Sequence, residues 1–138
     1  MPAKDIYHQA AKNALIKYGW TITHDPLRIN IGERRVLIDL GAERVFAAEK
    51  AGQQIAVEIK SFIGASPVDD LEDALGQFVL YHDLLQRSEP NRVLYLAVRR
   101  EVYDNLFQEP IGQVLLENKR LRLLIFAPQN EEIVTWID

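Results

Sequence analysis

The segment Val57-Glu58-Ile59-Lys60-Ser61 predicts a β-strand with two charged side chains on one face. Side chains alternate along a strand, so Val57 and Ile59 point to one side while Glu58 and Lys60 point to the other. A carboxylate and an ammonium on one face of an otherwise apolar strand cost free energy if that face is buried. The segment therefore indicates either a solvated strand face or a functional site.

A second carboxylate lies upstream, because Asp39 follows the apolar run Val36-Leu37-Ile38. If the chain folds back, Asp39 lies beside Glu58, and the two form a small acidic cradle with Lys60 at its edge. Carboxylate oxygens bind hard divalent cations, and a neighbouring lysine can hold a phosphate or polarise a water. The spacing therefore suggests phosphodiester chemistry, or the remains of it.

The alternative for these residues is an exposed charged pair on a half-solvated strand, which is an ordinary feature of antiparallel sheets. The predicted hairpin of residues 43–60 sets Glu58 opposite Val45 and Lys60 opposite Glu43. A register shift of one residue would turn every side chain of the strand to the other face. The cradle therefore depends on a register that the spacing alone leaves open.

The composition predicts one compact domain, since the chain has 138 residues and 48% hydrophobic content. It contains no run of about 18 uncharged apolar residues, so we expect no membrane span. Residues 1–5 lack the apolar run of a signal peptide, which favours a cytoplasmic location. The absence of cysteine excludes disulfides, thiolate zinc sites and cysteine nucleophiles. Any metal is therefore bound by oxygen atoms or supported by histidine.

The net charge of −4 is distributed unevenly, with +2 on residues 1–60 and −6 on residues 61–138. The overall sign argues against a protein that coats DNA through phosphate neutralisation alone. The basic residues do share the half of the chain that contains the cradle, which is compatible with a nucleic-acid face there. A mixed solvated surface explains the same distribution.

Periodicity and turn residues predict an α/β fold with the element order α-β-β-β-α-β and a mixed tail. Ser66 and Pro67 mark the start of the second helix, because serine caps a helix and proline suits its first position. We expect a mixed central sheet flanked by helices, with the strand of Glu58 inside it. The helices are predicted over 4–19, 67–87, 101–107 and 109–118, and the strands over 34–40, 43–49, 53–60, 92–98, 121–126 and 133–137, with a turn near 51–52.

Two polar side chains align on the second predicted helix, because Gln77 and Tyr81 are four residues apart. Taken singly, they are a surface amide and a core aromatic. Together, an amide and a phenol on one helical face are placed to reach the cradle or a phosphate.

In combination these elements resemble the PD-(D/E)xK, or restriction endonuclease-like, nuclease superfamily. Its core has the order α-β-β-β-α-β, with an acid at or before the second strand and Glu-x-Lys on the third. A branch of the superfamily has Gln-x-x-x-Tyr on the following helix, which Gln77 and Tyr81 match. The resemblance covers about residues 1–98 and implies a single endonuclease-like domain over residues 1–138.

The resemblance also implies roles for individual residues. Asp39 and Glu58 would bind Mg²⁺ or Mn²⁺, with the backbone carbonyl of Ile59 as a further ligand. Lys60 would be the catalytic lysine at the phosphate. Gln77 and Tyr81 of the second helix would contact DNA. Two departures stand out: Ile38 replaces the proline of the motif, and the first helix lacks the glutamate that many members use as an additional ligand.

The amino-acid sequences of three segments resemble one small family more closely, the XisH-type fdxN element excision controlling factors. The segments are Ile-Asp-Leu-Gly-Ala-Glu (38–43), Ala-Val-Glu-Ile-Lys-Ser-Phe (56–62) and Ala-Leu-Gly-Gln-Phe-Val-Leu-Tyr (74–81). That family is implicated in developmentally programmed excision of a DNA element. The resemblance implies an accessory to a site-specific recombinase that acts with a companion excision factor, XisI.

Two functions from different classes follow. The first is an excision factor that cleaves DNA phosphodiesters with Mg²⁺, as the retained acids and lysine favour. The second is a catalytically inactive nuclease fold that binds a recombinase or companion factor, as the acidic charge and the missing glutamate favour. We also expect a homodimer, because the runs 92–98 and 121–126 offer more apolar surface than a small sheet needs.

Overall fold

The computed structural model describes residues 4–44 and 52–138. The elements, in chain order, are α1 (His8–Lys17), β1 (Thr21–His24), β2 (Leu27–Ile31), β3 (Arg34–Ile38), β4 (Leu40–Arg44), β5 (Gln53–Ile59), α2 (Pro67–Ser88), β6 (Arg92–Arg99), α3 (Arg100–Asn105), a 3₁₀ turn (Leu106–Gln108), α4 (Pro110–Glu117), β7 (Leu123–Ala127) and β8 (Glu132–Ile137).

The main sheet has six strands in the order β1-β4-β5-β6-β7-β8. Strand β5 pairs antiparallel with β4 and parallel with β6, so the sheet is mixed and β5 lies in its interior. Helix α2 is the crossover that two adjacent parallel strands require. The prediction that the strand of Glu58 lies inside a mixed sheet is confirmed.

Helices cover both faces of this sheet, and alternate side chains of β5 pack against different helices. Ala56 belongs to a core cluster that contains Leu71 and Phe78 of α2. Val57 belongs to a second cluster that contains Leu15 of α1. Since Glu58 has the same parity as Ala56, the strand directs its carboxylate toward the side of α2. The sheet flanked by helices is therefore as expected.

Residues 34–40 are predicted as one strand preceding the 43–60 hairpin, and this prediction is wrong because the segment divides between β3 and β4, which belong to different sheets. Strand β3 pairs instead with β2 in a separate two-stranded sheet. Gly32, with a φ of 57°, allows the tight turn between them. The sequence Leu-Arg-Ile-Asn-Ile of β2 alternates apolar and polar residues, which is typical of a strand. Neither β2 nor β1 is among the strands predicted from the sequence.

The predicted register of β5 is also wrong. Glu43 pairs with Gln54 and not with Lys60, and Leu40 pairs with Val57. The error arose because a tight turn near 51–52 was assumed, whereas Arg44 pairs with Gln53, so the pairing begins eight residues before Gly52. Val45, Ala51 and most of the predicted strand 43–49 lie outside the described residues. The observed register brings Asp39, which directly precedes β4, level with Glu58.

The helices agree with the predictions except at their ends. Helix α2 begins at Pro67, and the N–H of Asp69 donates to the Ser66 hydroxyl at 3.2 Å, as a serine cap requires. Helix α1 is shorter than predicted, since it begins at His8. Within the described part of the chain, no helix is long and apolar enough to cross a membrane.

Candidate functional site

A cleft of about 710 Å³ opens beside the end of β5, and it is lined from α1, α2 and the β2–β3 hairpin. The structure brings every predicted site residue to this cleft. They are Asp39, Glu58, Ile59, Lys60, Gln77 and Tyr81.

The two carboxyl groups of the cradle are each fixed by a backbone N–H from the other's segment of chain. The Ile59 N–H donates to Asp39 Oδ2 at 2.7 Å. The Asp39 N–H donates to Glu58 Oε1 at 3.2 Å. Two side chains that are 19 residues apart in the sequence are thereby held side by side at the junction of β4 and β5.

Burial and mutual repulsion shift the acidity of this pair. Burial raises the pKa of Glu58 to about 9, and the negative charge of Asp39 adds to that rise. Burial also raises the pKa of Asp39, although the hydrogen bond from Ile59 acts against it. In the absence of a cation, Glu58 therefore keeps its proton at neutral pH.

Oxygen atoms suited to a hard cation remain available in the cradle. Each carboxyl group accepts one backbone N–H, and a side-chain hydrogen bond also joins the two groups. A cation that displaces the proton of this bond would gain the oxygen atoms that the bond uses. A strand residue's N–H and C=O point to the same side, so the Ile59 carbonyl lies on the side of β5 that faces β4. The described residues contain no cluster of three or more acidic or histidine side chains arranged for a metal. The two carboxyl groups and the Ile59 carbonyl are nevertheless a donor set that fits Mg²⁺ or Mn²⁺, because such an ion retains several waters as its other ligands.

Lys60 directly follows β5 at the edge of the pair. Its backbone N–H donates to the Ala97 carbonyl at 3.1 Å, which extends the ladder with β6. Its side chain is half-buried, and its ammonium forms no ion pair with any residue in 4–44 or 52–138. The positive charge is therefore available to an anion in the cleft.

Gln77 and Tyr81 of α2 lie on the opposite wall of the cleft. Gln77 is exposed, whereas Tyr81 is half-buried and packs against the core cluster of α2. Burial raises the pKa of Tyr81, and the charges of Glu58 and Asp39 raise it further. The phenol therefore stays protonated near the acidic pair, where it can donate a hydrogen bond.

The sequence analysis missed a second polar cluster in the same cleft, centred on Asp25. The side chain of His8 is buried, and its Nε2 lies 2.8 Å from Asp25 Oδ1. The Lys12 ammonium donates to Asp25 Oδ2 at 2.7 Å. Burial acts to raise the pKa of Asp25, but the hydrogen bonds from Lys12 and His8 outweigh it and lower that pKa. The dipeptide Asp25-Pro26 is by itself typical of a turn, and no sequence spacing connects it with α1.

A third carboxylate approaches from the N-terminal side. Asp5 Oδ2 accepts a hydrogen bond from the Ser61 N–H at 2.9 Å, which fastens the start of the chain to the end of β5. The charge of Asp5 contributes to the raised pKa of Asp39. Asp5 therefore lies in the same electrostatic environment as the pair, although its distance in the sequence gave no signal of this.

Comparison with known proteins identifies close relatives of the whole chain. Residues 1–134 match the family model described as XisH protein. The crystal structure of an XisH family protein from Nostoc punctiforme PCC 73102 is 39% identical, with a TM-score of 0.87 over 97% of this chain and 100% of that one. A fdxN element excision controlling factor protein from Anabaena variabilis is 38% identical, with a TM-score of 0.86 over 98% of this chain and 100% of that one. No curated protein matches the chain.

Proposed function

Because the chain belongs to the XisH family, we propose that it is a controlling factor in the excision of a DNA element. The relative from Anabaena variabilis bears that name for the fdxN element and is similar over its full length. A site-specific recombinase and the companion factor XisI are the proposed protein partners, and a homodimer is the proposed assembly.

We further propose that the fold is a PD-(D/E)xK core. The support is topological: when the β2–β3 hairpin is set aside, α1 is followed by the three antiparallel strands β1, β4 and β5, then by α2 and β6. That is the α-β-β-β-α-β order of the superfamily. In this interpretation the hairpin is an insertion between the first and second core strands.

The proposed activity is metal-dependent cleavage of a DNA phosphodiester. The observation that carries it is the adjacent pair of Asp39 and Glu58, whose raised pKa values reflect two half-buried carboxyl groups with charges that a cation would neutralise. Asp39, Glu58 and the Ile59 carbonyl would hold Mg²⁺ or Mn²⁺, which supplies a Lewis acid and lowers the pKa of a bound water. Lys60 would stabilise the charge that develops on the phosphate, and Gln77 and Tyr81 would position the DNA.

A catalytically inactive module is the second candidate, and one observation favours it. Both carboxylates already accept hydrogen bonds from backbone N–H groups at the junction of β4 and β5. Buried backbone donors need such partners, so the acids would have a structural reason to be there without any chemistry. In that case the protein would act by binding the recombinase or the companion factor.

A cleavage assay separates the two candidates. Supercoiled plasmid and linear duplex DNA are incubated with the protein and Mg²⁺ or Mn²⁺, using the wild type, Asp39→Asn, Glu58→Gln and Lys60→Ala. Asp73→Asn is the matched control, because Asp73 is an exposed carboxylate on α2 outside the cleft. We expect metal-dependent cleavage that the three cleft variants lose and the control retains. Absent cleavage, or equal cleavage by all variants, would leave the interaction module as the function.

A further inference from the structure

The β2–β3 hairpin presents two different faces. Leu27 and Ile29 of β2 and Ile38 of β3 are buried in the core cluster of α2. The opposite face carries the exposed polar residues Arg28, Asn30 and Arg35, with the half-buried Leu37 directly opposite Arg28. Asn30 pairs directly with Arg35, and Arg28 lies diagonally across the two strands from Arg35. One two-stranded ribbon is therefore anchored by its apolar face and leaves a basic face free.

The two arginines of this face are not neutralised by the protein. Among residues 4–44 and 52–138, no carboxylate lies within 4.0 Å of either guanidinium. Nearby cations behave differently, since Lys4 and Lys12 both pair with Asp25. Arg28 and Arg35 also line the cleft that contains the carboxylate pair. Uncompensated positive charge therefore borders the candidate site on the hairpin side.

The chemistry of this face suits a chain of phosphates. A guanidinium is planar, permanently charged and able to donate two parallel hydrogen bonds to phosphate oxygens. Diagonal neighbours on paired strands lie about 7–8 Å apart, so two such side chains can contact separate phosphates of one strand. A two-stranded β-ribbon also has a width that the major groove of duplex DNA admits.

From these observations we infer that the outer face of the β2–β3 hairpin, formed by Arg28, Asn30 and Arg35, is a binding surface for duplex DNA. The arginines bind backbone phosphates and so lay one strand along the cleft, toward Asp39 and Glu58. The choice of DNA as the ligand rests on the proposed function, whereas the location of the surface rests on the hairpin's geometry and charge. The hairpin thus contributes binding and positioning, separately from any chemistry at the carboxylates.

The test measures equilibrium binding without metal. A fluorescently labelled duplex of about 20 base pairs, long enough for several phosphate contacts, is titrated in EDTA with the wild type and with the double variant Arg28→Gln/Arg35→Gln. The matched control is Arg87→Gln/Arg120→Gln, which removes the same charge from exposed positions outside the cleft. Circular dichroism and thermal melts verify the folds, which we expect to be unchanged because both cleft arginines are exposed.

We expect the hairpin variant to raise Kd at least tenfold, and the control to raise it less than twofold. The slope of log K against log salt concentration should fall in magnitude by about 2 in the hairpin variant, since each lost phosphate contact removes about 1. If the wild type binds and the hairpin variant binds equally well, or the control loses as much, the inference is wrong while the proposed function stands. If hairpin-dependent binding occurs without cleavage in Mg²⁺, the inference stands and the catalytic proposal fails. A wild type that binds no duplex at low salt contradicts both.

Discussion

Asp39 and Glu58 are held side by side by reciprocal backbone hydrogen bonds between their segments, since Glu58 accepts from the Asp39 N–H and Asp39 accepts from the N–H of Ile59, the residue after Glu58. This arrangement explains how two half-buried acids remain adjacent despite their repulsion. Each accepts a backbone hydrogen bond from the other's segment, which offsets part of the cost of desolvation. The same arrangement makes the pair sensitive to protons, to cations and to substitution.

The first prediction concerns the pH dependence of stability. The pKa of Glu58 is about 9 in the folded protein, against 4.5 for an ordinary glutamate. Between these pH values the folded state retains a proton on Glu58 that the unfolded state has released. The stabilisation of the folded state by this proton is therefore complete below about pH 4.5 and is lost as pH rises through 9. We expect the free energy of unfolding in EDTA, measured with urea, to fall across this window.

The control for this prediction is a pair of glutamine variants. Glu58→Gln should remove the pH-dependent component, because glutamine does not titrate, whereas Glu72→Gln at an exposed position of α2 should leave it unchanged. Parallel pH profiles for Glu58→Gln and the wild type would show that Glu58 ionises normally.

The second prediction concerns divalent cations. A cation that binds only the folded state raises the melting temperature by mass action. We expect Mg²⁺ or Mn²⁺ to stabilise the wild type and Lys60→Ala, because Lys60 is assigned to the phosphate. Asp39→Asn and Glu58→Gln should lose this response, yet be at least as stable as the wild type without metal, since each variant replaces an acid whose ionisation is disfavoured by burial with a neutral amide. A wild type without any response, together with a destabilised Asp39→Asn, would make the acids structural.

The third prediction concerns Asp25, which is the shared partner of His8 and Lys12. Asp25→Ala leaves the buried imidazole without its hydrogen-bond partner, so we expect a loss of about 1–3 kcal/mol in the free energy of unfolding. Lys4→Ala is the comparison, because Lys4 lies 3.9 Å from the same carboxylate and its side chain is 65% exposed. That variant should lose less than about 0.5 kcal/mol. Equal losses would assign the stabilisation to surface charge.

The fourth prediction concerns two helical glycines with different surroundings. A Cβ at Gly112 in α4 would lie 2.5 Å from the Leu106 carbonyl oxygen and 2.5 Å from the Phe107 Cα, and backbone atoms there cannot move aside easily. We expect Gly112→Ala to destabilise the protein by about 1–3 kcal/mol. A Cβ at Gly76 in α2 would meet nothing within 4 Å, so Gly76→Ala should stabilise by about 0.5–1 kcal/mol. Chemical unfolding of both variants measures the difference in sign.

Local patterns in the sequence were sufficient for several of these features. The alternation along β5 placed Glu58 and Lys60 on one face, and the spacing of Gln77 and Tyr81 placed both on one face of α2. The start of α2 followed from Ser66 and Pro67. Each of these depends on residues within a few positions of one another, where side-chain direction is fixed by the geometry of a single strand or helix.

Pairing between distant segments was decided by the tertiary structure alone. Sequence reasoning placed Asp39 near the cradle, but it assigned β3 to the wrong sheet and set Lys60 opposite Glu43, whose actual partner is Gln54. Strand register depends on the length of the connecting segment and on which faces become buried, and neither is encoded within a strand. The raised pKa of Glu58, the Asp25 cluster and the position of the basic hairpin beside the cleft have the same origin. They arise from desolvation and proximity, which exist only once the chain has folded.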